Sequence, residues 1–367
     1  MIDNTALLQA LLSQDQIKMA NAQFLSIAPA PMPVDWDFDR VEGMLLGLAV
    51  GDALGYPTEA VLPNVRFQRH GEIRDYLPSP HAGYRQVGVC SDDTQMTFWT
   101  LQNLLADGGL LPEHVAEEFT RHTIFGIGST VRDFIWAYKN EGKTWVQAGQ
   151  PSAGNGTVMR IAPVLIPHLR KPTAALWADA ALAGMITHND PAANACCVAF
   201  IHLLWECLRR KDIPEPMWWL DTFTEAARSL EGRTEYASRI PGNSYRGPLW
   251  KFVDQEVRQA ITENPSSLEA CERWHSGAYL LETMPCVLYI LARYGHDPEE
   301  AVVRAVNDTK DNDTVAAIVG AAVGALHGKA GLPPRWIEGL LGRTGTDDDG
   351  RVFELIDQAR RVFWEDG

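Results

Sequence analysis

Two short stretches concentrate carboxylates in a way that suggests cation chemistry. "SDDT" at 91–94 sets Asp92 and Asp93 side by side, and "DNDT" at 311–314 places Asp311 and Asp313 two apart, directly before Thr314. Each lies where a loop passes into an apolar helical run. A single Asp, Ser or Thr there is explained as an N-cap that accepts from the free N–H groups of the first turn. A cap needs only one of these groups, however, and each stretch supplies several. Like charges at this spacing raise one another's pKa unless a cation lies between them. Four carboxylates with neighbouring hydroxyls, and no thiolate or imidazole nearby in sequence, suit a hard divalent ion with oxygen ligands, magnesium or manganese. Two such ions would balance four carboxylates. On this reading Asp92 and Asp93 form half of a metal site, one ligand to each ion, and Asp311 and Asp313 complete it.

Three further stretches have the character of site loops. "GDALGYPTEA" puts Glu59 just past an apolar helix, within reach of a metal-bound water if it is not a plain surface residue. "SAGNGTVMRIAPV" carries a turn, Gly154 to Gly156, followed by Arg160, and exposed N–H groups in such a turn suit an anion. "FGIGST" at 125–130 and "THND" at 187–190 carry less information, since a lone His188 is as readily a cap or core residue.

The elements that must position these residues are helical. Apolar residues recur at helical spacing in "ALWADAALAGMI", "ANACCVAFIHLLWECL" and "AYLLETMPCVLYILARY", while alternating runs are scarce, which predicts an all-α chain. Helices are expected over 41–55, 92–107, 112–124, 129–140, 173–187, 191–210, 214–230, 248–262, 276–294, 298–307, 314–328 and 350–364. Glycines recur every fourth residue at 43, 47, 51 and 55, and again at 320, 324 and 328. That spacing stacks them on one helical face, where each costs up to about 1 kcal/mol relative to alanine. Close approach of backbones is the usual compensation, so the two striped helices are expected to pack on each other or on a common neighbour. Residues 1–40 differ: Leu7, Leu8, Leu11 and Leu12 lead into "SIAPAPMPVDWDFDR", where prolines favour an extended chain. This arm reads either as a strap along its own domain or as a segment that docks on another protein.

Composition narrows the function classes. With 367 residues, 46% of them hydrophobic, the chain can bury a large core, and a formal charge of −15 argues against nucleic acid or an anionic membrane as the main partner. The six cysteines show no CxxC pair or zinc spacing and read as buried reduced thiols. No uninterrupted apolar run reaches the roughly 18 residues of a membrane span, and no leader pattern opens the chain. Asn155, Asn307 and Asn312 each begin an Asn-x-Thr sequon, two of them inside candidate site motifs. A cytoplasmic location is the expectation.

Taken together, "GMLLGLAVGDALG", "SDDTQM", "GNGTVMRIAPV", "THND" and "DNDTVAAIVGAAVGALHG", in this order between residues 41 and 328, resemble the ADP-ribosylglycohydrolases. That family includes the dinitrogenase reductase-activating glycohydrolases and the ADP-ribosylarginine hydrolases. The resemblance implies a compact all-α catalytic domain over 41–367, with two Mg2+ or Mn2+ ions in a cleft. It also implies metal-dependent removal of ADP-ribose from arginine on an ADP-ribosylated protein. Residue by residue, it implies Ser91, Asp92 and Asp93 as one ligand set and Asp311, Asp313 and Thr314 as the other, with Glu59, Asp93 and Asp313 at the chemistry. Asn155, Gly156, Met159 and Arg160 would fall in the loop that holds ADP-ribose, Gly126, Gly128 and Ser129 in a phosphate or ribose loop, and His188 beside it. Two departures stand out: Thr309 and Lys310 where many members have two glycines, and Ser91 where threonine is commoner. The alternatives are hydrolysis of serine-linked or O-acetyl ADP-ribose, and an immunity protein whose arm blocks an ADP-ribosyltransferase toxin.

Overall fold

A computed structural model describes residues 3–84 and 86–365. At its centre two helices, Asp39–Gly55 and Asn312–His327, run antiparallel with their backbones almost in contact. Gly43 lies against Gly324 and Gly328, Gly47 against Gly320, Gly51 against Ala316, and Gly55 against Asp313. A Cβ at Gly47 would stand 2.8 Å from the Gly320 carbonyl carbon, so neither stripe tolerates a side chain. The two stripes therefore pack on each other, and what they lose in helix propensity returns as backbone contact along the pair.

Around this pair lie Asp92–Asp107, Pro191–Arg209, Leu280–Tyr294 and Pro298–Asp308. Strand is confined, among the described residues, to a two-residue antiparallel pairing of Tyr236–Ala237 with Arg246–Gly247. The expected helices form with ends shifted by a few residues, except that the one expected over 112–124 stops at Glu118. Two shifts matter: the segment 276–279 stays out of the helix beginning at Leu280, and the helix carrying Asp313 begins at Asn312. Short helices Pro63–His70, Ser267–Arg273 and Pro334–Gly339 add to them; each is too brief for the apolar period to stand out. Pro191–Arg209 is long and apolar enough to cross a membrane, with mean hydropathy 1.4, but 83% of that stretch is buried inside the fold. All six cysteines are free and buried.

The arm is stitched to its own domain. Helix Asn4–Ser13 buries Leu8 and Leu11, and Asn4 Nδ2 donates to Leu110 O at 2.9 Å and Asp179 Oδ1 at 2.6 Å. The proline-rich stretch has backbone carbonyls with no helical partner. Indole N–H groups read them: Trp177 Nε1 donates to Ile27 O at 2.7 Å and Trp205 Nε1 to Ala30 O at 2.8 Å. In return the arm's Trp36 Nε1 donates to Leu208 O at 2.8 Å.

Candidate active site

The end of the glycine pair is where the carboxylates meet. Gly51 and Gly55 let the start of the second helix approach the last turns of the first, which brings Asp52 and Asp313 together. Asp52 was not singled out from the sequence, although it is the one charged residue in the apolar run 43–55, which is the signal that marks it. It is fully buried and caps a different helix. Ser91 precedes Asp92–Asp107 but makes no side-chain cap bond of its own. Instead Asp52 accepts from Ser91 N at 2.9 Å, Thr94 N at 3.1 Å, Ser91 Oγ at 2.7 Å and Thr94 Oγ1 at 2.5 Å. With the N–H groups of Ser91 and Thr94 satisfied from outside, Asp92 and Asp93 are not needed to cap them.

Their parts are unequal. One oxygen each of Asp52, Asp93 and Asp313 lies within 4.8 Å of the others, and a second triad, Glu59, Asp311 and Asp313, shares Asp313 with the first. Asp92 is in neither triad; it lines the cavity beside Gly126, whose left-handed φ of +76° and missing Cβ leave room for Asp92 Oδ1. Asp93 Oδ1 is buried without a hydrogen-bond partner. A buried orphan oxygen among carboxylates fits a cation, and the all-oxygen donor set fits a hard one. Burial, then repulsion from Asp52 and Glu59, pushes Asp92 up to about 8. Burial, then Asp311 and Asp52, pushes Glu59 to about 7. Asp311 rises to about 6 through burial, against the bond from Asn155. Asp93 and Asp313 are driven up in the same direction, burial first and neighbouring carboxylates next. Protons or a cation would relieve this crowding.

A cavity of about 760 Å³ opens onto these groups. Gly126, Gly128, Ser129, Asn155, Gly156, Met159, His188, Asp311, Asp313 and Thr314 all line it, as does Glu59. Asn155 is tied to the metal candidates, since its Nδ2 donates to Asp311 Oδ2 at 2.6 Å. Ser91 is fully buried behind the cavity, its hydroxyl engaged by Asp52 and, at 3.3 Å, Asp93 Oδ2.

Arg160 corrects the sequence reading: it lies beneath the cavity, fully buried, and does not line it. Its Nη2 donates to Ala183 O at 3.1 Å and Thr187 Oγ1 at 2.8 Å, with the guanidinium 4.9 Å from the Phe119 ring centroid. The effect reaches the cavity through one more bond. The Thr187 hydroxyl, already accepting from Arg160, lies 2.9 Å from His188 Nδ1, and we assign it as the donor there. Burial, then Arg160, lowers His188 to about 3, so the ring is neutral and the network assigns its proton to Nε2. Gly154 and Gly156 pack against that edge of the ring.

A model of the ADP-ribosylglycohydrolase family matches residues 33–365. The chain belongs to the ADP-ribosylglycohydrolase family. The match takes in the last residues of the arm. The chain is 29% identical to the ADP-ribosylarginine hydrolase Tri1 of Pseudomonas putida, over 82% of this chain and 74% of that protein. It is 27% identical to the ADP-ribosyl-[dinitrogen reductase] glycohydrolase of Rhodospirillum rubrum, over 82% and 90%. The ADP-ribosylhydrolase ARH3 of Xenopus tropicalis matches at 23%, over 86% and 95%. Among solved structures, an ADP-ribosylglycohydrolase-related protein complex superimposes with a TM-score of 0.64 and 25% identity, over 89% of this chain and 97% of that one. In this chain of the family, two acidic triads that could hold metal share one aspartate beside the cavity.

Proposed function

We propose that the protein hydrolyses the N-glycosidic bond between ADP-ribose and an arginine side chain of a modified protein, with two divalent ions, magnesium or manganese. The observation that carries the reading is the pair of carboxylate triads joined through Asp313, with the unpartnered Asp93 Oδ1 inside one of them. Asp52, Asp93, Asp311 and Asp313, with the cavity-facing Asp92 and Thr314, are the residues that would hold the ions; when bound, these supply charge stabilisation at the ribose and lower the pKa of a water.

The chain's own groups supply the rest. Glu59, half-buried at the cavity wall, holds or releases a proton near neutral pH chiefly because it is partly withdrawn from water, a cause that persists when neighbouring charges are neutralised. In hydrolysis a water oxygen bonds to C1″ as the bond to the guanidinium nitrogen breaks; Glu59 takes the water's proton and passes it on to the departing nitrogen, which leaves it ready for the next cycle. Asn155 fixes Asp311, and His188 presents Nε2–H to the cleft as a donor for a ribose hydroxyl. An acidic lining favours a cationic guanidinium. The relatives named as arginine hydrolases support the same linkage. Six buried, unpaired thiols agree with a reducing, cytoplasmic location. The arm's indole and asparagine bonds to its own domain favour the strap, and hydrolysis over toxin blocking.

The test is release of ADP-ribose from arginine-modified and serine-modified proteins, in magnesium and in EDTA, by wild type, Asp93→Ala and Asp313→Ala. Magnesium-dependent release from the arginine substrate, lost in both variants, is the expected result. Release from the serine substrate alone overturns the arginine assignment, and release unaffected by either variant overturns the site.

A further inference from the structure

The cleft is acidic over most of its wall. Glu59, Asp92, Asp190, Glu282, Asp311 and Asp313 all face it, whereas the lysine and arginine side chains in its lining, among the described residues, are Arg239 and Lys310. Both are set in place by the fold. The Lys310 backbone is clamped from two sides: its N–H donates to Ser276 Oγ at 3.0 Å and its carbonyl accepts from Ala60 N at 3.2 Å. Asp311 N extends the clamp to Ser276 O at 2.9 Å, so Lys310 stands between the metal candidates and the loop that carries Glu59. Arg239 lies between the two short strands, its guanidinium 4.1 Å from the centroid of the Tyr279 ring. That segment is pinned to the body by Tyr236 OH, which donates to Asp190 Oδ1 at 2.8 Å. Glu282 sits within the field of both cations.

An ADP-ribosyl group carries a diphosphate, and a dianion entering a wall of carboxylates is repelled unless cations meet it. We propose that Arg239 and Lys310 are the residues that receive the diphosphate of the ADP-ribosyl group and so set the affinity of the cleft for it; the inference rests on the activity proposed above. Arg239 supplies a planar donor fork and Lys310 a compact point charge. Neither is needed to hold the ions or to move a proton, so their contribution lies in binding.

The experiment is calorimetric titration of full-length protein in magnesium with ADP-ribose and with adenosine, for wild type, Arg239→Met, Arg239→Lys, Lys310→Met and Lys310→Gln. Thermal melts check folding, and manganese binding followed by electron paramagnetic resonance checks the ion site. Loss of a charge-assisted bond predicts about tenfold weaker ADP-ribose binding for each neutral variant, with only part of it recovered in Arg239→Lys, which keeps the charge and loses the fork. Both losses should shrink at high salt. Adenosine, which lacks phosphate, is expected to bind Lys310→Met and Lys310→Gln as it binds wild type. Wild type that binds ADP-ribose while every neutral variant binds it within twofold overturns the inference, as does an equal loss for adenosine. Wild type that binds no ADP-ribose overturns the inference together with the activity. ADP-ribose binding that depends on both cations, without hydrolysis of any linkage, removes the activity and leaves the inference standing.

Discussion

Gly47→Ala separates two opposed expectations. By helix propensity alone, alanine in the middle of Asp39–Gly55 stabilises by about 1 kcal/mol. The structure reverses the sign. The new Cβ would stand 2.8 Å from the Gly320 carbonyl carbon, and ordinary van der Waals contact begins at 3.4 Å. The opposing atoms are backbone and cannot rotate away, so the helices must separate by about 1 Å, since a close-packed interior holds no slack. Overpacking of this kind costs about 1–3 kcal/mol, and the upper end applies against rigid backbone, leaving a net loss of about 2 kcal/mol. Because the same helix pair carries Asp52 and Asp313, the change reaches the carboxylate cluster. Ion–oxygen distances tolerate only about 0.2 Å, so manganese affinity should fall by about tenfold or more. Differential scanning calorimetry in EDTA and manganese titration measure the two effects. Gly109→Ala, whose Cβ meets nothing within 4 Å, is the control. A Gly47→Ala protein that melts at or above wild type and binds manganese equally would refute the account of the glycine stripe.

Asp52→Ala and Asp93→Ala should move metal-free stability in opposite directions. The first strands the N–H groups of Ser91 and Thr94, at about 1–3 kcal/mol, whereas the second removes a buried carboxylate with an orphan oxygen and should raise the melting temperature in EDTA. The pH dependence follows from the raised acids. Glu59, Asp311 and Asp92, displaced upward to about 7, 6 and 8, keep protons in the folded state that the unfolded chain has already released. Folded protein therefore binds more protons than unfolded between about pH 4 and 8, so metal-free stability should fall as pH rises through that window. Saturating magnesium should flatten the fall, and melts that rise from pH 5 to 8 in EDTA would contradict the cluster. Thr187→Val removes the bond to His188 Nδ1, and about fivefold weaker ADP-ribose binding with unchanged manganese affinity is expected, read by titration.

Much of the architecture was legible because its signals are periodic. Apolar residues at helical spacing mark the long helices, and glycines every fourth residue mark the central pair before any contact is known. The acidic stretches at 91–94 and 311–314 stand out because carboxylates beside helix starts exceed what capping needs, and Glu59 because it follows an apolar helix. The residues that escaped are those whose role depends on a partner far along the chain. Arg160 follows the loop that lines the cleft, but its side chain turns down onto Ala183 and Thr187, and no local pattern records that direction.

Asp52 shows most clearly why composition and spacing stop short of the site. In sequence it is a single acid inside a glycine-striped apolar helix, 39 positions from the serine it caps. Its four accepted hydrogen bonds explain the unusual start of the helix that follows. Ser91, Asp92, Asp93 and Thr94 can all be polar there because the capping is done by another helix, and Ser91 and Thr94 hold that cap while Asp93 turns toward Asp313. The glycine stripe is the condition for this exchange, since Gly51, the residue before Asp52, leaves the second helix room to bring Asp313 alongside. Stripe, external cap and shared aspartate are therefore one device, and a side chain added anywhere along the stripe near the carboxylates should disturb ion binding before it unfolds the chain.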